Sequence, residues 1–270
     1  MTKLTTLFLC CLCTVSIFAQ NSPDTHGIKL ERLAIQIQAD TIVQSRFHAD
    51  SIFIKELVVA LKQNHSFEYS LDSLHAIKHM ISPDRKFKIF SWQIDLGDGT
   101  YRQRAAIQFP TTDGQLKLLP LFDHSDFVIN IANGINDSKH WIGAIYYDII
   151  PMQLNGQTIY TLLGFDEYTN GLSRKIIEIV KFINNEPIFG GDYFSYPKDD
   201  CFPIAPADRF VYQYKKGSNA VIKYDTDSNT IIISELTSLT KDLKNPSTLV
   251  PSGNDLFFKW INGKWTLIKK

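Results

Sequence analysis

The sequence predicts a mainly β (α+β) fold, with N-terminal helices followed by an antiparallel array. Three observations carry that expectation. Apolar residues recur at helical spacing only near the start, at Leu30, Leu33, Ala34 and Ile37 and again at Ile54, Leu57, Val58 and Leu61. From Leu74 onward Gly, Pro, Asn and Asp punctuate runs rich in Ile, Val, Phe, Tyr and Trp. Two-residue turn signals then follow at Asp113-Gly114, Asn155-Gly156, Asn184-Asn185 and Asn262-Gly263, residues that tolerate the positive φ of tight hairpins.

Residues 1–20 read as a secretory signal. Lys3 supplies the positive start, Leu4–Phe18 the apolar stretch, and Ala19 the small residue at a cut after Ala19 or Gln20. The apolar stretch is shorter than the ~20 residues of a spanning helix. No later run approaches that length, so no membrane span is expected after cleavage. Cleavage would remove Cys10, Cys11 and Cys13 and leave Cys201 alone, which excludes an internal disulfide framework. Cys201, followed by Phe202-Pro203, reads as a structural thiol. Taking Lys3 from the 28 basic residues leaves 27 against 28 acidic, a net of −1. With no basic block, nucleic acid is not an expected partner. The expected setting is secreted or periplasmic, and the expected partner is an envelope or extracellular ligand.

Residues 21–73 form the helical segment and 74–270 the β-rich body, together one domain. No Pro or Gly falls between residues 28 and 80. Asp50 or Ser51 is the expected N-cap of the second helix, with Ile52 and Phe53 opening its apolar face. Four hairpins are expected. They pair Trp141–Gln153 with Thr158–Gly164, Lys175–Phe182 with Pro187–Phe189, Ser218–Tyr224 with Thr230–Glu235, and Phe257–Ile261 with Lys264–Lys269. No helix-length periodicity interrupts Phe87–Val180, so βαβ units are excluded and about ten to fourteen antiparallel strands are expected. A meander, a sandwich and a degenerate propeller-like array all satisfy this pattern.

The stretch Ser82-Pro83-Asp84-Arg85-Lys86-Phe87-Lys88-Ile89-Phe90-Ser91-Trp92 is similar to a group of exported β-rich proteins of Bacteroidota-type bacteria. The likeness continues through Tyr160–Asp166, Lys175–Glu178, Pro187–Gly190, Arg209–Tyr214 and Phe258–Trp265, most of residues 80–265. The group brings no activity, so the resemblance implies export and one β-rich domain. The Ser-Pro-Asp-x-Lys element also resembles the strand-opening turn of periplasmic propeller proteins.

No cofactor motif is present, and chemical candidates are few. His75 and His79 share a face at i, i+4, with Asp72 nearby, but His-Glu-x-x-His is absent and no metal site is expected. Asp225-x-Asp227-x-Asn229 begins like a calcium loop, yet Thr230 and Leu236 stand where Gly and Glu belong, so it reads as a turn. Asp95–Gly99 reads as a wide turn. Phe122–Phe127 gathers His124, Ser125, Asp123 and Asp126, although a catalytic triad normally assembles across a fold. The strongest candidate is the long connection Gly190–Pro206, where Tyr193, Phe194, Tyr196, Asp199 and Asp200 would place aromatic faces beside carboxylates for a sugar or peptide. The competing explanation is that these rings cover one end of the sheet. The functional expectation is a non-catalytic binding or interaction module, with a hydrolase of an envelope or extracellular polymer as the alternative.

Overall fold

The computed structural model describes residues 25–169, 171–197 and 205–268. The signal segment and Cys201 lie outside them. The chain is mainly β, with two helices preceding fourteen strands among the described residues. Helices α1 (Thr25–Ala39) and α2 (Val43–Leu61) run first. A four-stranded meander follows: β1 (Lys78–Ile81), β2 (Lys88–Asp95), β3 (Tyr101–Phe109) and β4 (Lys117–Phe122).

The second sheet contains β5 (Ile145–Leu154), β6 (Gln157–Asp166), β7 (Leu172–Ile183) and β8 (Glu186–Phe189). The short β9 (Phe194–Ser195) leaves this sheet, and β10 (Phe210–Lys215) returns to it along β7. Its order is β10-β7-β6-β5, with β8 also on β7. The third sheet, ordered β11-β12-β13-β14-β9, adds β11 (Ile222–Asp225), β12 (Thr230–Ser238), β13 (Leu249–Ile261) and β14 (Lys264–Ile268). All four expected hairpins form. Asn155, Asn184, Asn185, Asn229 and Asn262 take φ between 50° and 65° at their turns. One pairing departs from the antiparallel rule, since β9 lies parallel to β14.

Alternation along the strands stacks these units as four layers: helices, first sheet, second sheet, third sheet. Phe90, Trp92 and Ile94 of β2 face Leu30, Phe53 and Leu57 of the helices. The other face of the first sheet, with Ile89, Ala105 and Ile107, packs on Leu162, Ile176 and Val180 of the second. The opposite face of the second sheet, with Leu163, Ile177 and Ile179, packs on Ile231, Ile233 and Phe258 of the third. The central sheet is thus apolar on both faces. That is why its strands read as near-continuous Ile, Leu and Val rather than as strict alternation.

The second helix corrects the expected start. It begins after Ile42, not at Asp50 or Ser51, and Asp50 lies buried near its middle. There Asp50 Oδ1 accepts from Trp92 Nε1 at 2.8 Å and Oδ2 from Arg104 Nε at 3.2 Å. An acidic residue that resembled a cap is the polar tie between the helical layer and the first sheet. The real boundary is marked by Asp40, whose Oδ1 accepts from the Ile42 amide at 2.8 Å and Oδ2 from Ser45 at 2.6 Å.

Candidate functional site

The sequence candidates disperse in the fold. Phe194, on β9 of the third sheet, is core, 2% exposed with its ring centroid 6.3 Å from that of Phe210. Tyr193 stacks on Trp260 with centroids 6.5 Å apart, and its carbonyl accepts from the Trp265 amide. Tyr196 meets Phe210 and Phe258 edge-on, and burial pushes its hydroxyl up to about 12. Of these three rings Tyr196 lines the cavity beside β10, and Tyr193 and Phe194 do not. Asp199 and Asp200 lie outside the described residues. Among the described residues of the loop, Tyr193, Phe194 and Tyr196 therefore do not form one ligand-facing surface.

The other candidates are absorbed into turns and packing. His79 sits on β1, not on a helix, and stacks on Phe90, with Nε2 2.9 Å from the Leu74 carbonyl. Burial lowers its pKa. Asp225, Asp227 and Asn229 form the β11–β12 turn, where Ser228 caps Asp225. Asp95 and Asp98 likewise bond the amides of their own turn. Asp123 holds Ser125 through Oδ1 and the Gln103 amide through Oδ2, so Ser125 faces a carboxylate and not His124. His124 stacks on Phe127 at 4.8 Å. Among the described residues no three His, Cys, Asp or Glu side chains converge as a metal site.

A cavity of about 900 Å³ lies beside β10. Segments distant in sequence line it, five of them besides the one that carries Tyr196. They are the start of β3 (Tyr101, Gln103), the β4–β5 connection (Val128, Ile129), the β6–β7 turn (Asp166, Tyr168, Arg174), β10 (Phe210, Tyr212) and the β12–β13 connection (Leu243, Lys244).

Two arginines organise it. Arg209, immediately before β10, is fully buried with Glu178 of β7, Nε to Oε2 at 3.0 Å. Its Nη1 donates to the carbonyls of Ile131 at 2.8 Å and Asn133 at 3.3 Å, and Nη2 to Asn136 Oδ1 at 2.8 Å. Glu178 also accepts from the Tyr146 hydroxyl, which itself accepts from Trp141 Nε1 at 2.8 Å. Burial raises the Tyr146 pKa, and the Glu178 charge adds to it. Every nitrogen of Arg209 is thus spent on holding the 131–136 segment, one wall of the cavity, against the central sheet. Gly190 permits that approach, because a Cβ there would stand 2.9 Å from the Gly134 carbonyl.

Arg174 of β7 is used differently. Its Nε donates to Asp166 Oδ2 at 2.5 Å, and its guanidinium carbon lies 3.9 Å from the Tyr168 ring centroid. Asp166 Oδ1 accepts from Gln103 Nε2 at 2.8 Å and from the Tyr168 amide at 3.0 Å. That second bond fixes the turn that brings the ring over the guanidinium, with Tyr168 left-handed at φ 55°. Burial raises the Asp166 pKa despite the Arg174 charge beside it. Gln103 Oε1 is buried with no donor among the described residues.

Sequence reasoning missed these residues, although a signal was available. Asp166, Arg174 and Glu178 fall at strand positions facing the core, as alternation from Leu162 and Ile176 shows. A charge at such a position requires a buried partner. Comparison with protein families, curated proteins and solved structures yields no match.

Proposed function

We propose that the chain is an exported, non-catalytic binding protein of the cell envelope or extracellular space, whose ligand occupies the cavity beside β10. The cavity carries this reading. Its volume of about 900 Å³ lies within the range of small-molecule sites, and apolar and aromatic side chains surround a few fixed polar groups. The charged and apolar features of residues 1–20 support the setting.

The arrangement of carboxylates favours binding over hydrolysis. A hydrolytic pair needs one carboxyl group free to give a proton and another free to attack or activate water. Asp166 has both oxygens occupied, by Arg174, Gln103 and the Tyr168 amide. Asp126, also at the cavity, pairs with Arg102 at 3.6 Å.

Titration with the uncharged dye N-phenyl-1-naphthylamine tests the reading. We expect saturable fluorescence enhancement with one site per chain in wild type. In Leu243→Arg and Ile129→Glu we expect at least a fivefold weakening at unchanged melting temperature. Absence of saturable binding by the wild-type protein would sink the proposal.

A further inference from the structure

Resting on that reading, we propose that the ligand is an amphiphile with a single carboxylate head, which the free fork of Arg174 receives while Val128, Ile129 and Leu243 cover the apolar body. The two cavity arginines make the case by contrast. Arg209 has all three nitrogens engaged by protein acceptors. Arg174 is 4% exposed and equally withdrawn from bulk solvent, yet among the described residues only its Nε has a hydrogen-bond acceptor. Neither of its terminal nitrogens has an acceptor among the described residues, and neither is among the buried atoms left without a partner. The side chain lines the cavity, where these donors would meet a ligand.

A guanidinium offers two parallel N–H bonds that match the two oxygens of a carboxylate. This one is held ready. Asp166 fixes its Nε edge and Tyr168 covers its face, so little side-chain freedom remains to be lost on binding. The charge balance limits the head to one negative charge. Asp166 already offsets Arg174, and Lys244, exposed at the cavity, is the remaining cation lining it besides Arg209, which Glu178 offsets. A phosphate dianion would leave one charge uncompensated beside a buried carboxylate, which low dielectric penalises.

The apolar side chains name the rest of the ligand. Ile129 lines the cavity with its side chain fully exposed, on a connection that Asp123 and Arg209 anchor at either end. Leu243, on the β12–β13 connection, also lines the cavity. A hydrocarbon body would remove both from water.

The test compares 11-(dansylamino)undecanoate with its primary amide, identical except for the charge on the head. Wild type is expected to bind the carboxylate at least tenfold more tightly. The double variant Asp166→Asn/Arg174→Met removes both charges and leaves no buried carboxylate alone. It is expected to bind acid and amide within twofold of each other, at the wild-type affinity for the amide. Equal affinity of wild type for the two probes would overturn the head-group assignment and leave the cavity reading standing. So would an acid preference that survives in the double variant. Failure of wild type to bind either probe or the neutral dye would overturn both. The comparison within wild type holds even where the variant does not fold.

Discussion

At the scale of single residues, this protein repeatedly takes a charge out of water, and one of these charges is left with few partners. Lys88 on β2 shows what that does. Its Nζ donates to the Tyr69 carbonyl at 2.7 Å and lies 5.5 Å from the Phe67 ring centroid. Burial lowers its pKa from the ordinary lysine value to about 8, a shift that Glu68 opposes and Arg85 reinforces. The unfolded chain then holds a proton that the folded chain has lost between about pH 8 and 10.5, so Lys88 makes stability rise with pH across that window. Melting curves of wild type and Lys88→Met, taken from pH 7 to 10.5, should diverge in favour of wild type as pH increases. A difference independent of pH would rule the shift out. The sequence gives no sign of it, because Lys88 sits among Phe87, Ile89 and Phe90 but nothing local says which face closes over it.

At the scale of elements, legibility depended on whether the controlling interaction was local. The hairpins were readable because each turn residue with positive φ is its own signal, as Asn155 and Asn262 show. The start of α2 was not, because Asp50 has the chemistry of a cap and its real partners are 42 and 54 residues away in sequence. Replacing Asp50 by Ala would strand the buried Trp92 indole N–H and release Arg104. We expect a loss of about 1–3 kcal/mol in urea unfolding, the usual cost of orphaning a buried donor. Asp50→Asn, which keeps an oxygen for the indole, should recover part of it. If Ala is as stable as wild type, the tie between helices and sheet is not energetic. The candidate loop was half legible on the same logic. Its aromatic content was evident, but the burial of Phe194 follows from the pairing of β9 with β14, about 70 residues on.

At the scale of the whole molecule, the layers explain both where rigidity resides and why the cavity was invisible in the sequence. Both faces of the second sheet are covered, by the first sheet on one side and the third on the other. Its inner strands β6 and β7 should therefore open only with global unfolding. Hydrogen exchange read by mass spectrometry should show their amides exchanging last, after those of β1, β4 and the helices. Comparable exchange rates in β4 and β7 would contradict the layered core. The cavity lies where connections from all three sheets meet at β10, and no window of sequence contains more than a fraction of its wall. Asp166 and Arg174 are close in the chain, but that they face Gln103 is a property of the stacking.

The place of β14 has a further consequence, for the order in which the molecule can come into being. This strand, the last described, is not at an edge: it separates β13 from β9. Its Trp265, wholly buried, reaches across to the central sheet and donates to Thr161 Oγ1 at 2.8 Å. A ribosome delivers residues 264–268 after everything they join. Until then β9 has no neighbour in its sheet and Thr161 no indole. The third sheet can therefore close around β9 only once residues 264–268 have been made.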